Sequence, residues 1–194
     1  MQNTDSRTLS DGEPSADRRN VVLTGFMATG KSAVGRLLAS RIGYEWVDTD
    51  SVIEARYGSI PEIFAVRGEN EFRRFERKVA SEFARRDGLV VSTGGAMMLD
   101  PANAELLGAT GRVFCLVASL DTILQRVTDS AADRPLLAGP DPRQRIIDLL
   151  EARAAGYGRF TTVDTTGKSV VEVAEDIVAL LADEDDSPPA VSRR

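Results

Sequence analysis

The fold is decided by the stretch Gly25-Phe26-Met27-Ala28-Thr29-Gly30-Lys31-Ser32. A glycine, four further residues and the ending Gly-Lys-Ser form the pattern of a phosphate-binding loop, or P-loop, which needs a strand before it and a helix after it. The apolar run 21–24 is typical of a buried strand, and apolar residues recur every three or four positions from Lys31 to residue 42. The sequence therefore predicts a P-loop, whose backbone N–H groups and following helix hold phosphate.

Three residues of this loop have predicted roles of their own. Gly30 lets the backbone bend closely around a phosphate group. Lys31 is expected to span the β- and γ-phosphates of a nucleoside triphosphate, and Ser32 to ligate Mg²⁺. The alternative is a glycine-rich turn that matches by chance, and the flanking strand and helix argue against it.

Strands and helices alternate along the rest of the chain. The predicted strands occupy 21–24, 44–47, 89–92, 112–117 and 160–164. The predicted helices occupy 31–42, two short segments within 51–66 broken at Gly58 and Pro61, 69–86, a segment ending near 127 and capped by Ser119 or Asp121, 143–157 and 170–181. This alternation predicts an α/β fold with a parallel sheet covered by helices on both faces.

The composition narrows the functions that are possible. A chain of 194 residues suits one domain, and its formal net charge of −6 argues against a nucleic-acid binder. There is no histidine, and the one cysteine, Cys115, lies in an apolar run, as expected of a core residue in a cytoplasmic protein. No apolar run is long enough to span a membrane, and no apolar stripe is left over, so a monomer is expected.

Polar segments flank and interrupt the predicted domain. Residues 1–19 and 183–194 are expected to be disordered, which leaves an ordered domain at 20–182. The segment at about 129–142 is polar, contains three prolines and is long for a simple connection, as is typical of a mobile lid. Arg134 within it is expected to close over a phosphoryl group, although an exposed loop cation is the alternative.

The carboxyl ends of parallel strands meet at one edge of a sheet, where ligands bind. Asp48 and Asp50 follow the second predicted strand, and Gly94 and Gly95 follow the third. One aspartate can face a metal while the other faces a substrate hydroxyl. The alternative for Asp50 is a simple N-cap of the helix that follows, and the spacing leaves both interpretations open.

Two arginines lie beside apolar helix stripes. Arg73 is bracketed by Phe72 and Phe75, and Arg153 has Tyr157 four residues later. An arginine held beside a core suits a bidentate grip on a carboxylate. The alternative for Arg73 is a surface salt bridge with Glu76, worth under about 1 kcal/mol.

Taken together, these segments resemble the shikimate kinase family. The motifs that carry the resemblance are the P-loop, Asp48-Thr49-Asp50, Phe72-Arg73-Arg74-Phe75-Glu76, Ser92-Thr93-Gly94-Gly95, Arg134-Pro135-Leu136-Leu137 and Arg153 with Tyr157. The resemblance implies a three-layer P-loop kinase fold like that of nucleoside monophosphate kinases, with five parallel strands and a mobile lid. It also implies transfer of the ATP γ-phosphate to the 3-hydroxyl of shikimate, on the route to chorismate and aromatic amino acids.

The resemblance also implies a role for each matching residue. Asp50, Lys31 and Arg134 would be catalytic. Asp50, Arg73, Gly94, Gly95 and Arg153 would bind shikimate, with the two glycines offering backbone N–H groups. ATP would be held by Gly25, Ala28, Thr29, Gly30, Lys31, Ser32, Ala33, Arg126 and Arg134, with Arg126 against adenine. Mg²⁺ would be held by Ser32 and Asp48.

The chain departs from the family pattern at two positions. Ala96 stands where the family usually has a third consecutive glycine, and Ala28 stands where a P-loop glycine is common. A methyl group at Ala96 is a problem if the backbone there needs a positive φ. The change at Ala96 motivates one alternative, a kinase for a related cyclic acid such as an aminoshikimate. A separate alternative is an ATP-binding module without kinase activity.

Overall fold

The computed structural model describes residues 18–129 and 141–185. Arg134 and nearly all of the predicted lid lie outside the described residues, as do most of the two predicted tails. The strands are Asn20–Gly25 (β1), Glu45–Asp48 (β2), Leu89–Ser92 (β3), Gly111–Val117 (β4) and Thr161–Asp164 (β5). The helices are Lys31–Ile42 (α1), Thr49–Tyr57 (α2), Ile60–Phe83 (α3), Pro101–Thr110 (α4), Leu120–Thr128 (α5), Pro142–Tyr157 (α6) and Val170–Asp185 (α7).

The five strands form one parallel sheet in the order β2-β3-β1-β4-β5. All six residues of β1, the central strand, are buried. The P-loop follows β1 directly, so it lies at the middle of the carboxyl edge of the sheet. This confirms the predicted α/β fold and its parallel sheet.

Alternation along the strands divides the core into layers. On β1, Val21 and Leu23 pack with α1 and α7, whereas Val22 packs with α3 and α4 on the other face. A third cluster contains Phe26 and the buried Cys115 together with buried residues of α5 and α6. Side chains on opposite sides of a strand therefore reach opposite helix layers, as strand geometry requires.

Two features of the helices differ from the prediction. Pro61 lies in the first turn of α3, where its missing N–H has no helical partner to lose, and so does not break a helix. The predicted break at Gly58 is confirmed, because α2 ends at Tyr57. The gap between the helices predicted to end at 66 and to begin at 69 contains Gly68, whose φ of 78° is not helical and which kinks α3. Helix α4 is absent from the prediction because it buries only Asn103 and Leu107 and has no clear apolar stripe.

Two smaller findings concern the last helix and the described helices as a whole. Helix α7 continues to Asp185, past the predicted end at 181 and into the predicted acidic tail. No helix in the described part of the chain is both long and apolar enough to cross a membrane.

Candidate active site

The P-loop is shaped by two glycines with a positive φ. At Gly25, with φ of 129°, a β-carbon would lie 2.2 Å from the Leu116 carbonyl oxygen. Gly30 has φ of 95° and begins α1 without a side-chain cap. The first N–H groups of α1 therefore face the loop with no side-chain acceptor, which is the arrangement that binds anions.

Lys31 lies across the loop that precedes it. Its Nζ donates hydrogen bonds to the carbonyl oxygens of Gly25 and Phe26, at 3.0 and 2.8 Å. The Thr29 hydroxyl donates to the same Phe26 oxygen at 2.8 Å. These bonds hold the ammonium group at the centre of the loop, where a phosphate chain would lie.

Ser32 and Asp48, the predicted metal ligands, are in contact. The Ser32 hydroxyl donates to Asp48 Oδ2 at 2.7 Å, while Asp48 Oδ1 accepts from the backbone N–H groups of Asp50 and Ser51. Asp48 is therefore the N-cap of α2, and the interpretation of Asp50 as that cap is wrong. Hydroxyl and carboxylate oxygens are ligands that Mg²⁺ prefers.

Asp50 lies in the first turn of α2. Oδ1 is buried and accepts no hydrogen bond from the described residues. Burial, and then the charge of Asp48, raises the pKa of Asp50 to about 6, against the opposing effect of Lys31 and Arg73. A buried oxygen without a donor is costly unless a ligand supplies one, so this atom points to a hydroxyl of a bound substrate.

The loop after β3 lies directly against Asp50. A β-carbon on Gly94 would stand 2.4 Å from Asp50 Oδ1. The Gly94 N–H donates to Thr49 Oγ1 at 2.8 Å, so the structure directs this amide to a protein acceptor and not to a ligand. The predicted donation from the Gly94 N–H to a substrate stays a prediction, and the structure adds that Gly94 leaves space for the Asp50 carboxylate.

Gly95 and Ala96 complete this loop. A β-carbon on Gly95 would lie 3.6 Å from Arg153 Nη1, and the Gly95 carbonyl accepts from the Tyr157 hydroxyl. Ala96 has φ of −111°, an ordinary value for alanine. The methyl group at Ala96 therefore causes none of the backbone strain that would follow from a positive φ.

Arg73 is held by two carboxylates of α3. Its Nη1 donates to Glu76 at 2.7 Å, and its Nε and Nη2 donate to Glu69 at 3.2 and 2.8 Å. The Glu76 side chain is only 2% exposed, and burial raises its pKa to about 7 although Arg73 opposes the shift. The interpretation of this pair as a surface salt bridge is therefore wrong.

Arg153 approaches the site from α6. Its guanidinium carbon lies 5.6 Å from the centroid of the Phe26 ring, so it reaches the P-loop side of the Gly95 loop. Asp50, Gly94, Gly95 and Arg153 thus converge at the carboxyl ends of β1, β2 and β3. Arg73 faces this group from α3, where its charge acts on Asp50.

Arg126 links the P-loop to the segment after β5. It donates to the Ala28 carbonyl at 3.3 Å and to the hydroxyl and carbonyl oxygens of Thr165 at 3.0 and 2.9 Å. Ala28 itself has φ of 60°, and it alone combines a positive φ with a side chain in the described part of the chain. Arg126 thus supports a strained P-loop residue, and its predicted contact with adenine stays a prediction.

Sequence reasoning assigned no role to Thr49, Glu69 or Thr165. Thr49 stands between two aspartates that are predicted site residues, and this position is the sequence feature that could have identified it. Glu69 precedes Arg73 by four residues, a spacing that places both on one helix face. Nothing in the local sequence marks Thr165 as a partner of Arg126, which is 39 residues away.

A parallel five-stranded sheet with a P-loop after its central strand is the fold of P-loop nucleoside-triphosphate-binding proteins, the class that includes the P-loop kinases. The shikimate kinase family model matches residues 27–182. A shikimate kinase from Thermus thermophilus is 45% identical over 163 residues, which are 83% of this chain and 89% of that protein. One from Geobacter sulfurreducens is 43% identical over 176 residues, 90% of this chain and 96% of that protein.

A solved structure is similar over nearly the same span. The shikimate kinase from Acinetobacter baumannii in complex with shikimate superposes with a TM-score of 0.81 and 35% sequence identity, covering 87% of this chain and 96% of that one. The chain belongs to the shikimate kinase family and is an ATP-dependent kinase.

Proposed function

We propose that the protein transfers the γ-phosphoryl group of ATP to the 3-hydroxyl of shikimate. Membership of the family supports this, as does the likeness to a kinase whose structure contains shikimate. The observation that carries it is the buried Asp50 Oδ1, which has no hydrogen-bond donor within the described residues and lies beside Gly94. A substrate hydroxyl is the donor this atom requires.

The acid half of the proposed site uses two arginines. Arg73 and Arg153 would bind the shikimate carboxylate, because a guanidinium matches a carboxylate in geometry as well as charge. Glu76 keeps Arg73 in place from the buried side. Gly94 leaves room for the Asp50 carboxylate, and Gly95 lies beside Arg153.

The nucleotide half uses the P-loop. Backbone N–H groups at the start of α1 would bind the phosphates of ATP, with Lys31 at the β- and γ-phosphates. Ala28, Thr29, Ala33 and Arg126 would complete the ATP contacts.

Ser32 and Asp48 would hold Mg²⁺ together with phosphate oxygens and water, and the ion would neutralise charge on the phosphates. The described residues contain no cluster of three or more acidic, histidine or cysteine side chains that could hold a metal alone. A site shared with the nucleotide accords with that finding.

The chemistry then requires mainly positioning and charge neutralisation, since phosphoryl transfer has a loose transition state. Asp50 would orient the attacking hydroxyl and accept its proton late in transfer. Lys31 would stabilise charge that develops on the transferring group.

A coupled ADP-release assay with ATP, Mg²⁺ and a series of cyclic acids tests this proposal. We expect a clear preference for shikimate in kcat/KM, and the ordinary φ of Ala96 supports that expectation over an altered acid pocket. Preference for a related acid such as an aminoshikimate would favour the first alternative. ATP binding without turnover on any acid would favour a non-catalytic module.

We infer further that the enzyme acts as a monomer. The exposed large apolar side chains in the described ranges are few and lie on three helices, α3, α4 and α7. The expectations of a cytoplasmic location and of no nucleic-acid partner stay predictions.

A further inference from the structure

Arg73 makes its contacts with Glu69 along one edge of its guanidinium. Both Nε and Nη2 donate to the same Glu69 oxygen, Oε1, at 3.2 and 2.8 Å. This edge, with two parallel N–H groups, is one that binds a carboxylate in bidentate fashion. Glu69 therefore already lies where an acid substrate would bind Arg73.

The two partners of Arg73 differ in their freedom to leave. The Glu76 side chain is 2% exposed and lies in the core, whereas the Glu69 side chain is 63% exposed. Glu69 can thus turn into solvent at little cost, while an unpaired Glu76 would remain buried. If an incoming carboxylate displaces one of these two partners of Arg73, the displaced partner must therefore be Glu69.

The local backbone explains why Glu69 is in this position. Gly68 has φ of 78° and ψ of 168° and interrupts α3, so that Glu69 begins the second part of the helix. Residues four apart on that helix face the same side, which brings Glu69 to Arg73. The ion pair between Glu69 and Arg73 does not depend on packing in the core.

We propose that Glu69 competes with the substrate carboxylate for the Nε–Nη2 edge of Arg73, so that shikimate binds by exchanging with Glu69. Glu69 is then a residue that sets the affinity for the acid without touching the reacting atoms. This inference rests on the proposed function, because it assumes that Arg73 binds the carboxylate of the acid.

The test compares Glu69→Gln with Glu71→Gln. Glu71 lies on the same helix and pairs with Arg74, at 3.2 Å, instead of Arg73, so it controls for loss of a negative charge. We expect Glu69→Gln to lower the KM for shikimate by about two- to fivefold, the factor that corresponds to an exposed ion pair. We expect kcat and the KM for ATP to stay the same, and Glu71→Gln to leave all three constants unchanged.

Two further measurements separate competition from other effects. In an Arg73→Ala background, Glu69→Gln should change nothing, because the contested group is gone. The inhibition constant of the uncharged methyl ester of shikimate should be the same in the wild type and in Glu69→Gln. A higher or unchanged KM in Glu69→Gln, or an equal gain for the ester, would overturn the inference.

The two proposals fail in different ways. If the wild type does not phosphorylate shikimate, the proposed function is wrong. If the wild type does so and Glu69→Gln does not improve binding of the acid, only the competition at Arg73 is wrong. Glu69→Asp, with a side chain one methylene shorter, gives an intermediate KM if the inference holds.

Discussion

Gly94 leaves the space that Asp50 occupies: a β-carbon at residue 94 would stand 2.4 Å from Asp50 Oδ1. Real β-carbons do not approach an oxygen so closely, so any larger residue must move the carboxylate. Because Gly94 is buried at the end of β3, the backbone has little room to yield. This contact makes the placement of Asp50 dependent on the loop after β3.

We therefore expect Gly94→Ala to lower kcat by about a hundredfold or more, since a displacement near 1 Å at a reacting group has that effect. The KM for ATP should stay the same. Steady-state kinetics checks this. The control is Gly108→Ala in α4, where a β-carbon meets nothing within 4 Å. That substitution should leave kcat unchanged and stabilise the helix by about 0.5–1 kcal/mol. Full activity in Gly94→Ala would show that Asp50 is not held by this contact.

Arg73 and Arg74 offer a matched pair of substitutions. Arg73 contacts the buried Glu76, whereas Arg74 pairs with the partly exposed Glu71. We expect Arg73→Ala to weaken shikimate binding by about 2–4 kcal/mol, the cost of removing one partner of a desolvated charge pair. ATP affinity should be retained in both variants, and Arg74→Ala should bind shikimate normally. Calorimetric titration of each ligand measures this, and equal effects of the two substitutions would contradict it.

Glu76 makes stability depend on pH. Burial raises its pKa to about 7, so the folded state holds a proton more tightly than the unfolded state. The resulting stability is fully present below the unfolded pKa of 4.5 and is lost as the pH rises through 7. Because of Glu76, the free energy of unfolding of the wild type should fall by about 2–3 kcal/mol between pH 5 and 8. We expect Glu76→Gln to abolish this fall. Urea unfolding of the two proteins at several pH values measures it. If the free energy of unfolding depends on pH in the same way in both proteins, Glu76 does not titrate in this range.

At the two alanines that depart from the family pattern, substitution by glycine should have opposite effects on the stability of the protein. Ala28 has φ of 60°, whereas Ala96 has φ of −111°. A left-handed conformation costs alanine about 1–2 kcal/mol, more than the added chain entropy of glycine. Ala28→Gly should therefore stabilise the protein by about 0.5–1 kcal/mol, and Ala96→Gly should destabilise it by a similar amount. Thermal unfolding compares the two, and the same sign for both would show that φ does not decide the effect.

The sequence predicted the central features of the fold because they are local. The P-loop, the strand 89–92 and the end of α1 at Gly43 each follow from a motif, an apolar run or a capping glycine. Helix α4 could not be found from periodicity because it buries few residues, although Asp100 and Pro101 form a start signal. The break predicted at Pro61 does not occur, because proline is compatible with the first turn of a helix, whereas the gap predicted between residues 66 and 69 contains the kink at Gly68.

For the candidate site, the roles assigned to residues stay predictions, and the structure adds contacts that the sequence did not indicate. Ser32 and Asp48, both predicted to hold Mg²⁺, are in contact because the start of α1 and the end of β2 lie at the same edge of the sheet. The N-cap role fell to Asp48 because its side chain, not that of Asp50, precedes the first turn. The burial of Glu76 depends on packing across the whole of α3 and could not be derived from its spacing to Arg73.

We expect this chain to phosphorylate the 3-hydroxyl of shikimate and not merely to hydrolyse ATP. The most direct measurement is phosphorus NMR of the products formed from ATP, Mg²⁺ and shikimate. We predict one phosphate monoester, coupled to the proton on carbon 3, together with ADP in equal amount, and no such product from Asp50→Asn. Release of inorganic phosphate without an ester, or an ester at another hydroxyl, would contradict the account.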